Sequence, residues 1–253
     1  MSFALKTKSF RFEYNESEID SIVLWESHCH SQFEMIGVLE GDIMITLEGK
    51  KYRVSQGQSV MITPLSYHTI TANKKGCYRR LTTLFDASAI PEEIRAYFTV
   101  GESEIFIASS HQLERLMNIC KEEDPSLYHP LAEALMIEVF YEALRASQSG
   151  TAAETDEFLQ SAIGYIEEHI GEMISLESLA KHTSRSPSSF SHLFEAKMGI
   201  SPKQYILQKK FALANKMIND GVPPTIAAIK IGYENYSNFY RIYRRYFGKS
   251  PAR

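Results

Sequence analysis

The feature that most constrains this chain is an internal repeat in its last hundred residues. Ser186-Pro-Ser-Ser-Phe-Ser-His-Leu-Phe-Glu-Ala-Lys-Met-Gly-Ile-Ser-Pro202 lies without a gap over Asn235-Tyr-Ser-Asn-Phe-Tyr-Arg-Ile-Tyr-Arg-Arg-Tyr-Phe-Gly-Lys-Ser-Pro251. In that register Phe190 matches Phe239, Leu193 matches Ile242, Phe194 matches Tyr243, and Gly199 matches Gly248. Upstream, Ala180 matches Ala228 and Thr183 matches Ile231 if the second turn is one residue longer. Apolar residues three and four apart mark one face of a helix, and the helix ends carry their own signals. Ser175 can cap a helix bearing Leu176, Leu179 and Ala180. Ser186 followed by Pro187 reads as an N-cap with proline at the first helical position, where its missing N–H costs nothing. Gly199 suits the left-handed residue that ends a helix. Ser201-Pro202-Lys203-Gln204 has the form of a capping box opening a long helix to about Asp220. In the second copy Gly232 ends one helix and Asn235 caps the next.

A short helix, a tight turn and a second helix with one apolar face describe a helix-turn-helix. The apolar faces, Phe190, Leu193 and Phe194 in one copy and Phe239, Ile242, Tyr243 and Phe247 in the other, are expected to pack inward. The opposite faces then offer Ser188, Ser191 and His192, and Tyr236, Ser237, Tyr240 and Arg241, to a DNA groove. Residues 203–220, with Ile206, Lys210, Ala214 and Met217 along one line, read as a rigid connector. It would hold the two recognition helices about 34 Å apart, in successive major grooves. Lys209, Lys210, Arg244, Arg245 and Lys249 are candidates for phosphate contacts. Charge agrees: residues 157–253 hold 13 Lys+Arg against 8 Asp+Glu, whereas residues 1–156 hold 14 against 23. A basic module on an acidic one places any polyanion at the C-terminal part. The alternative is a helical protein-binding domain whose polar faces are merely solvated.

Residues 158–251 resemble the DNA-binding domain of the AraC family of bacterial regulators. The resemblance rests on Ile174-Ser-Leu-Glu-Ser-Leu-Ala-Lys-His182, on Ser186 to Phe194, on Met198-Gly-Ile-Ser-Pro-Lys-Gln-Tyr-Ile206 and on Ile231-Gly-Tyr-Glu-Asn-Tyr-Ser-Asn-Phe-Tyr240 through Pro251. It implies seven helices, with the two faces named above reading bases. This chain departs from the pattern in four places. Ser184 stands where glycine is usual, which predicts a less tight first turn. Pro223-Pro224 and Ile226 alter the opening of the second unit, which predicts a later helix start. His192 replaces a common arginine, which predicts weaker or different base contacts. The sequence ends at Arg253, where the family pattern runs into a last short helix.

The first ~110 residues read as β-structure. Ile43-Met-Ile-Thr-Leu47 and Lys51-Tyr-Arg-Val54 are short and β-branched, and glycine turns fall at Gly41, Gly49 and Gly57. Short strands at this spacing predict a small barrel or jelly roll. Two helices follow, over 110–122 and 128–146, on the stripes Leu113, Leu116, Met117 and Cys120, and Leu131, Leu135, Val139 and Leu144. These stripes are core, or for one of them a dimer seam. Ser147 to Asp156 is small and polar and reads as a linker. The domains expected are therefore 1–146, linker 147–156, and 157–253, in an α+β chain of two domains.

His28-Cys-His30-Ser-Gln-Phe-Glu34, with Gly41 downstream, has the spacing of the first cupin motif. Gly57 followed by Pro64-Leu-Ser-Tyr-His68 resembles the second, with Ser66 in place of glycine. In metal cupins His28, His30, Glu34 and His68 would converge inside the barrel, and such a donor set suits Zn, Fe, Mn or Ni. Sensor domains of the AraC type keep a similar remnant that packs, or contacts an organic effector, without metal. An effector pocket lined by these four residues is the preferred expectation, with no cofactor and no catalysis; a metal-dependent cupin enzyme fused to a DNA-binding domain is the alternative. Phe10, Phe12, Tyr14 and Trp25 either add surface to that pocket or belong to the core.

Three scattered cysteines, Cys29, Cys77 and Cys120, fit reduced thiols better than a disulfide framework. No apolar run approaches the ~18–20 residues of a membrane span, and the N-terminus lacks the basic-then-apolar pattern of a secretory signal. The resemblance therefore implies a cytoplasmic, homodimeric, effector-controlled transcription regulator. Its partners would be an operator duplex, a small molecule (a sugar among the candidates) and, for an activator, RNA polymerase.

Overall fold

Alternation along the first strands decides which way they face. In Phe10–Ile19 the side chains of Phe10, Phe12 and Tyr14 are buried, and in Asp42–Leu47 those of Ile43, Ile45 and Leu47 are, as a half-buried strand of period two requires. The structure, a computed structural model, describes residues 2–19, 23–24, 28–72, 75–95, 106–109, 112–121, 128–146 and 154–251. Its strands are β1 (Ser2–Lys6), β2 (Phe10–Ile19), β3 (Val23–Leu24), β4 (Phe33–Glu40), β5 (Asp42–Leu47), β6 (Lys50–Ser55), β7 (Gln58–Ile62), β8 (His68–Ala72), β9 (Gly76–Phe85), β10 (Phe106–Ser109) and β11 (Glu154–Thr155). Its helices are α1 (Glu92–Arg95), α2 (Gln112–Cys120), α3 (His129–Ala146), α4 (Glu157–Glu168), α5 (Leu176–His182), α6 (Pro187–Met198), α7 (Pro202–Asn219), α8 (Pro224–Lys230) and α9 (Tyr236–Phe247).

The strands form a six-stranded sheet, β1-β2-β9-β4-β7-β10, and a five-stranded sheet, β11-β6-β5-β8-β3. The expected barrel is corrected here: among the described residues the two sheets do not join edge to edge into one closed barrel. Ile36, Val38 and Val60 from the larger sheet share a core with Ile45, Val54 and Ile70 from the smaller. A second core lies between the larger sheet and α2 and α3. There Phe10, Phe12, Tyr14, Phe33 and Phe85 meet Leu113, Leu116, Leu135, Val139 and Phe140. A Cβ at Gly37 would collide with the Leu113 side chain, so α2 packs directly on the β4 backbone, and a larger residue there would have to displace that leucine. Phe10, Phe12 and Tyr14 are thus core; Trp25 lies outside the described residues. The apolar stripe assigned to the second helix needs one correction, because Leu131 is 42% exposed while Leu135 and Val139 are buried.

The chain divides into two compact units, residues 1–26 with 32–154 and residues 27–31 with 155–253. Of the linker segment, residues 147–153 lie outside the described residues, Glu154–Thr155 form β11, and Asp156 caps α4 by accepting from the Leu159 amide at 3.0 Å.

Residues 157–251 hold six α-helices among the described residues, where the resemblance implied seven. The predicted caps form: Ser175, Ser186 and Asn235 each accept an amide three residues on, and Ser201 with Gln204 completes the capping box. Two expectations fail on backbone grounds. Ser184 adopts the left-handed conformation (φ 54°) that glycine would adopt without strain. Ser184 N–H to Lys181 and Arg185 N–H to Ala180 (3.1 and 2.7 Å) close the turn tightly. Nor does the second unit start late: α8 begins at Pro224, because proline's fixed φ is already helical. Both first helices run seven residues, and the second turn is one residue longer, as the repeat requires.

Candidate functional site

The two second helices of the repeat separate their faces cleanly. On α6, Phe190, Phe194 and Met198 are buried, while Ser188 and His192 are exposed and Ser191 is half-buried. On α9, Phe239 and Tyr243 are buried. Tyr236, Ser237, Tyr240, Arg241, Arg244 and Arg245 are all exposed. Phe239 stacks on Phe211 of α7 with ring centroids 5.5 Å apart, and the Tyr243 hydroxyl donates to Asn215 Oδ1 at 2.5 Å. The inward face of α9 is therefore pinned to the connector, and its outward face carries three guanidinium groups and two phenols.

The outward faces of the two units differ in charge. On α6 the basic residue Lys197 is spent on a salt bridge to Asp156. Asp156 responds: burial would raise its pKa, but the Lys197 hydrogen bond, the Leu159 amide and the Lys197 charge outweigh burial and hold it below the usual carboxylate range. On α9, Arg241 donates from Nη2 to Asn238 Oδ1 at 3.0 Å. One edge of the guanidinium is thereby fixed and its other donors are left available. Sequence reading missed Asn238, although a polar residue three before an arginine on one helix face is a readable signal.

Lys209 and Lys210, expected as phosphate contacts, are corrected. Each is only 7% exposed. Lys209 Nζ lies 2.8 Å from Glu167 Oε1, and Lys210 Nζ donates to the carbonyls of Glu172 and Ile231 at 2.6 and 2.8 Å. The helix period alone could not show that this face of α7 turns inward between the two units. Lys249 is exposed.

In the N-terminal unit, β4 and β8 place Glu34 and His68 side by side. His68 Nε2 lies 3.0 Å from Glu34 Oε2, and His68 is wholly buried. Its Nδ1 is 3.0 Å from the Ser66 carbonyl, so that nitrogen carries the proton. Burial pushes the imidazole's pKa down, but the Glu34 hydrogen bond and charge, the Ser66 carbonyl and the Glu48 carboxylate together raise it above the ordinary histidine value. The rings of His28, exposed, and His30, half-buried, are 5.4 Å apart. His28 and His30 fall with residues 155–253 in the division of the chain, and Glu34 and His68 with the N-terminal unit. Three imidazoles and a carboxylate, with the His68 tautomer fixed by a carbonyl behind it, are a donor set that fits a divalent transition metal.

A cleft of about 230 Å³ lies elsewhere on this unit, lined by Asp42, Gln56, Lys75, Cys77 and Tyr78 among others. None of the four expected effector residues lines it. Burial and then Glu40, Glu18 and Glu16 push the Cys77 thiol up, which disfavours the thiolate there. Cys29 is buried; the side chain of Cys120 lies outside the described residues.

Comparison with known proteins agrees with both units. The helix-turn-helix domain family matches residues 179–253, and the cupin domain family matches residues 12–79. The "Probable transcriptional regulator LumQ" of Photobacterium leiognathi is 25% identical over 98% of this chain and 97% of its own length. The thermoregulatory protein LcrF of Yersinia pestis is 24% identical over 88% and 89%. The solved structure of fatty-acid-bound ToxT from Vibrio cholerae aligns over 97% of this chain and 94% of that one, at a TM-score of 0.46 and 9% identity.

Proposed function

We propose that the chain is a transcription regulator of the AraC family, on the ground that a cupin domain here precedes a helix-turn-helix domain. The α9 face (Tyr236, Ser237, Tyr240, Arg241) and the α6 face (Ser188, Ser191, His192) read base edges in an operator duplex. Arg244, Arg245 and Lys249 supply phosphate contacts, which position the domain and make affinity salt-dependent. The observation that carries this reading is the separation of faces on α9: two aromatic anchors inside, three exposed arginines outside. The first unit contributes less, since its face is Ser/His and its lysine is paired. Selection of binding sequences from random duplexes with the full chain, followed by affinity against a scrambled site, tests it. No enrichment would end the reading.

Control comes from a small-molecule effector in contact with His28, His30, Glu34 and His68. An effector can shift regulation only through different affinities for two states of the protein. The Glu34 carboxylate, held by His68, offers an acceptor to the hydroxyl groups of a polar metabolite, a sugar among them. A thermal-shift screen of metabolites on the wild type and on His68→Gln tests this; stabilisation that survives in the variant would remove these residues from the site. The donor types of these residues, three imidazoles and a carboxylate, suit a second reading, a resident transition metal. Metal analysis of the purified chain decides it, and less than about a tenth of an equivalent excludes it. No catalytic step is assigned.

The partner in dimer formation is a second copy, seated on α3. Its outward face carries Leu131, Ile137 and Tyr141 at 42%, 40% and 52% exposure, more apolar surface than a solvated helix face needs. For an activator, RNA polymerase is a further partner. Among the described residues no helix is long and apolar enough to cross a membrane. Operator binding is the ground on which we place the protein in the cytoplasm.

A further inference from the structure

The least expected group in the helical unit is the ammonium of Lys210. It lies within the unit, 7% exposed, and both its acceptors are main-chain carbonyls. One, Glu172, lies in the turn between α4 and α5, at the start of the first helix-turn-helix. The other, Ile231, is the C-cap of α8, in the second. A single side chain on the connector α7 therefore ties the first unit to the second.

The backbone around it is built for this approach. A Cβ at Gly232 would stand 2.8 Å from the Gly171 carbonyl oxygen, and one at Gly171 would stand 3.0 Å from the Lys230 carbonyl. Gly232 also has φ +81°, so glycine is required there twice over. The two units meet backbone to backbone, and Lys210 Nζ, 3.2 Å from that same Cβ position, closes the gap. Burying a cation is costly unless it is hydrogen-bonded, and burial pushes this ammonium below the ordinary lysine range. An apolar side chain would fill the space at lower cost. What it could not do is fix two carbonyls at one donor, since packing is non-directional and hydrogen bonds are not.

We propose that Lys210 is a positioning residue for operator recognition: it sets the separation and relative orientation of α6 and α9, and so the half-site spacing the protein accepts. It touches no base or phosphate. The inference rests on the reading that both helices enter DNA. A pair of recognition helices on a rigid mount should accept one phase of the duplex, and half a turn, about 5 base pairs, should place one helix over the wrong groove.

The test compares the full-length wild type with Lys210→Met and Lys210→Arg. Affinity is measured on duplexes whose two half-sites are separated by 0 to 5 extra base pairs, and amide exchange is followed by mass spectrometry. For the wild type we expect about tenfold weaker binding at the half-turn insertion, equivalent to losing one half-site's base contacts. In Lys210→Met the profile should flatten to within about threefold, since such a ratio is below the discrimination of even one good base contact. Exchange should rise over residues 224–247 and stay unchanged over 157–168, while single half-site binding is retained. Lys210→Arg keeps charge and donors and should restore the peak. An unchanged profile and unchanged exchange in Lys210→Met would overturn the proposal, as would equal loss on half-sites and full sites. If Lys210→Met does not fold, a folded Lys210→Arg with the wild-type profile supports the donor role, and an unfolded one overturns it in favour of packing volume. A wild type indifferent to spacing refutes two-helix DNA reading instead; the exchange comparison then judges the pin by itself.

Discussion

Replacing Arg241 by alanine separates base reading from simple charge attraction. Arg241 stands on the outward face of α9, three residues after Asn238, and one of its five N–H donors is engaged by the Asn238 side chain. The donors that remain can bond a guanine edge in pairs, an interaction worth about 1–3 kcal/mol of discrimination against the wrong base. Removing it should therefore weaken operator binding roughly 5- to 150-fold, at 1.4 kcal/mol per decade. Binding to a scrambled duplex should fall far less, because that affinity comes from phosphate neutralisation shared among several cations. Fluorescence anisotropy on both duplexes, at two salt concentrations, reads the two effects apart. Arg245→Ala is the control: it should weaken both duplexes alike and reduce the salt slope by about 1. Equal losses on operator and scrambled DNA for Arg241→Ala would refute the base-reading role and assign the residue to the phosphates.

Phe239→Ala removes a fully buried ring that stacks on Phe211 and should cost about 3–5 kcal/mol; denaturant unfolding of the full chain measures it, and a loss under 1 kcal/mol would show that α9 is not held by this contact. Asp156→Ala should destabilise the C-terminal unit by about 0.5–2 kcal/mol, as losing an N-cap does. Because the folded pKa of Asp156 lies below its ordinary value, the charged part of that difference is full above pH 3.8 and fades as pH falls through the folded value. A gap that widens on acidification would contradict this sign. Ile137→Asp places a charge on the exposed face of α3 and should turn dimers into monomers in sedimentation velocity at unchanged helicity; a wild type that is already monomeric removes the α3 seam.

Much of the helical unit was legible because its signals are local. Ser186, Ser201 and Asn235 cap helices through amides three residues away, and Gly199 and Gly248 end them in the left-handed conformation. A repeat doubles each such signal. Ser184 shows the limit of reading by residue type. The absence of glycine predicts a looser turn, yet hydrogen bonds to Lys181 and Ala180 hold serine at φ 54°, since a closed turn can outweigh the modest strain of one residue.

The N-terminal unit was legible in its strands and turns. Closure of the sheet was not, because barrel and two-sheet arrangements share the same alternation of inward and outward residues. What the sequence determined by itself was therefore the repeat, the capped ends of its helices, and the identity of the outward faces of α6 and α9. Only tertiary structure decided the fate of Lys209 and Lys210. A lysine's periodicity places it on a helix face, but whether that face meets phosphate or protein depends on what packs against it. Here Glu167, Glu172 and Ile231, 21 to 42 residues away in sequence, claim both ammonium groups for the interior.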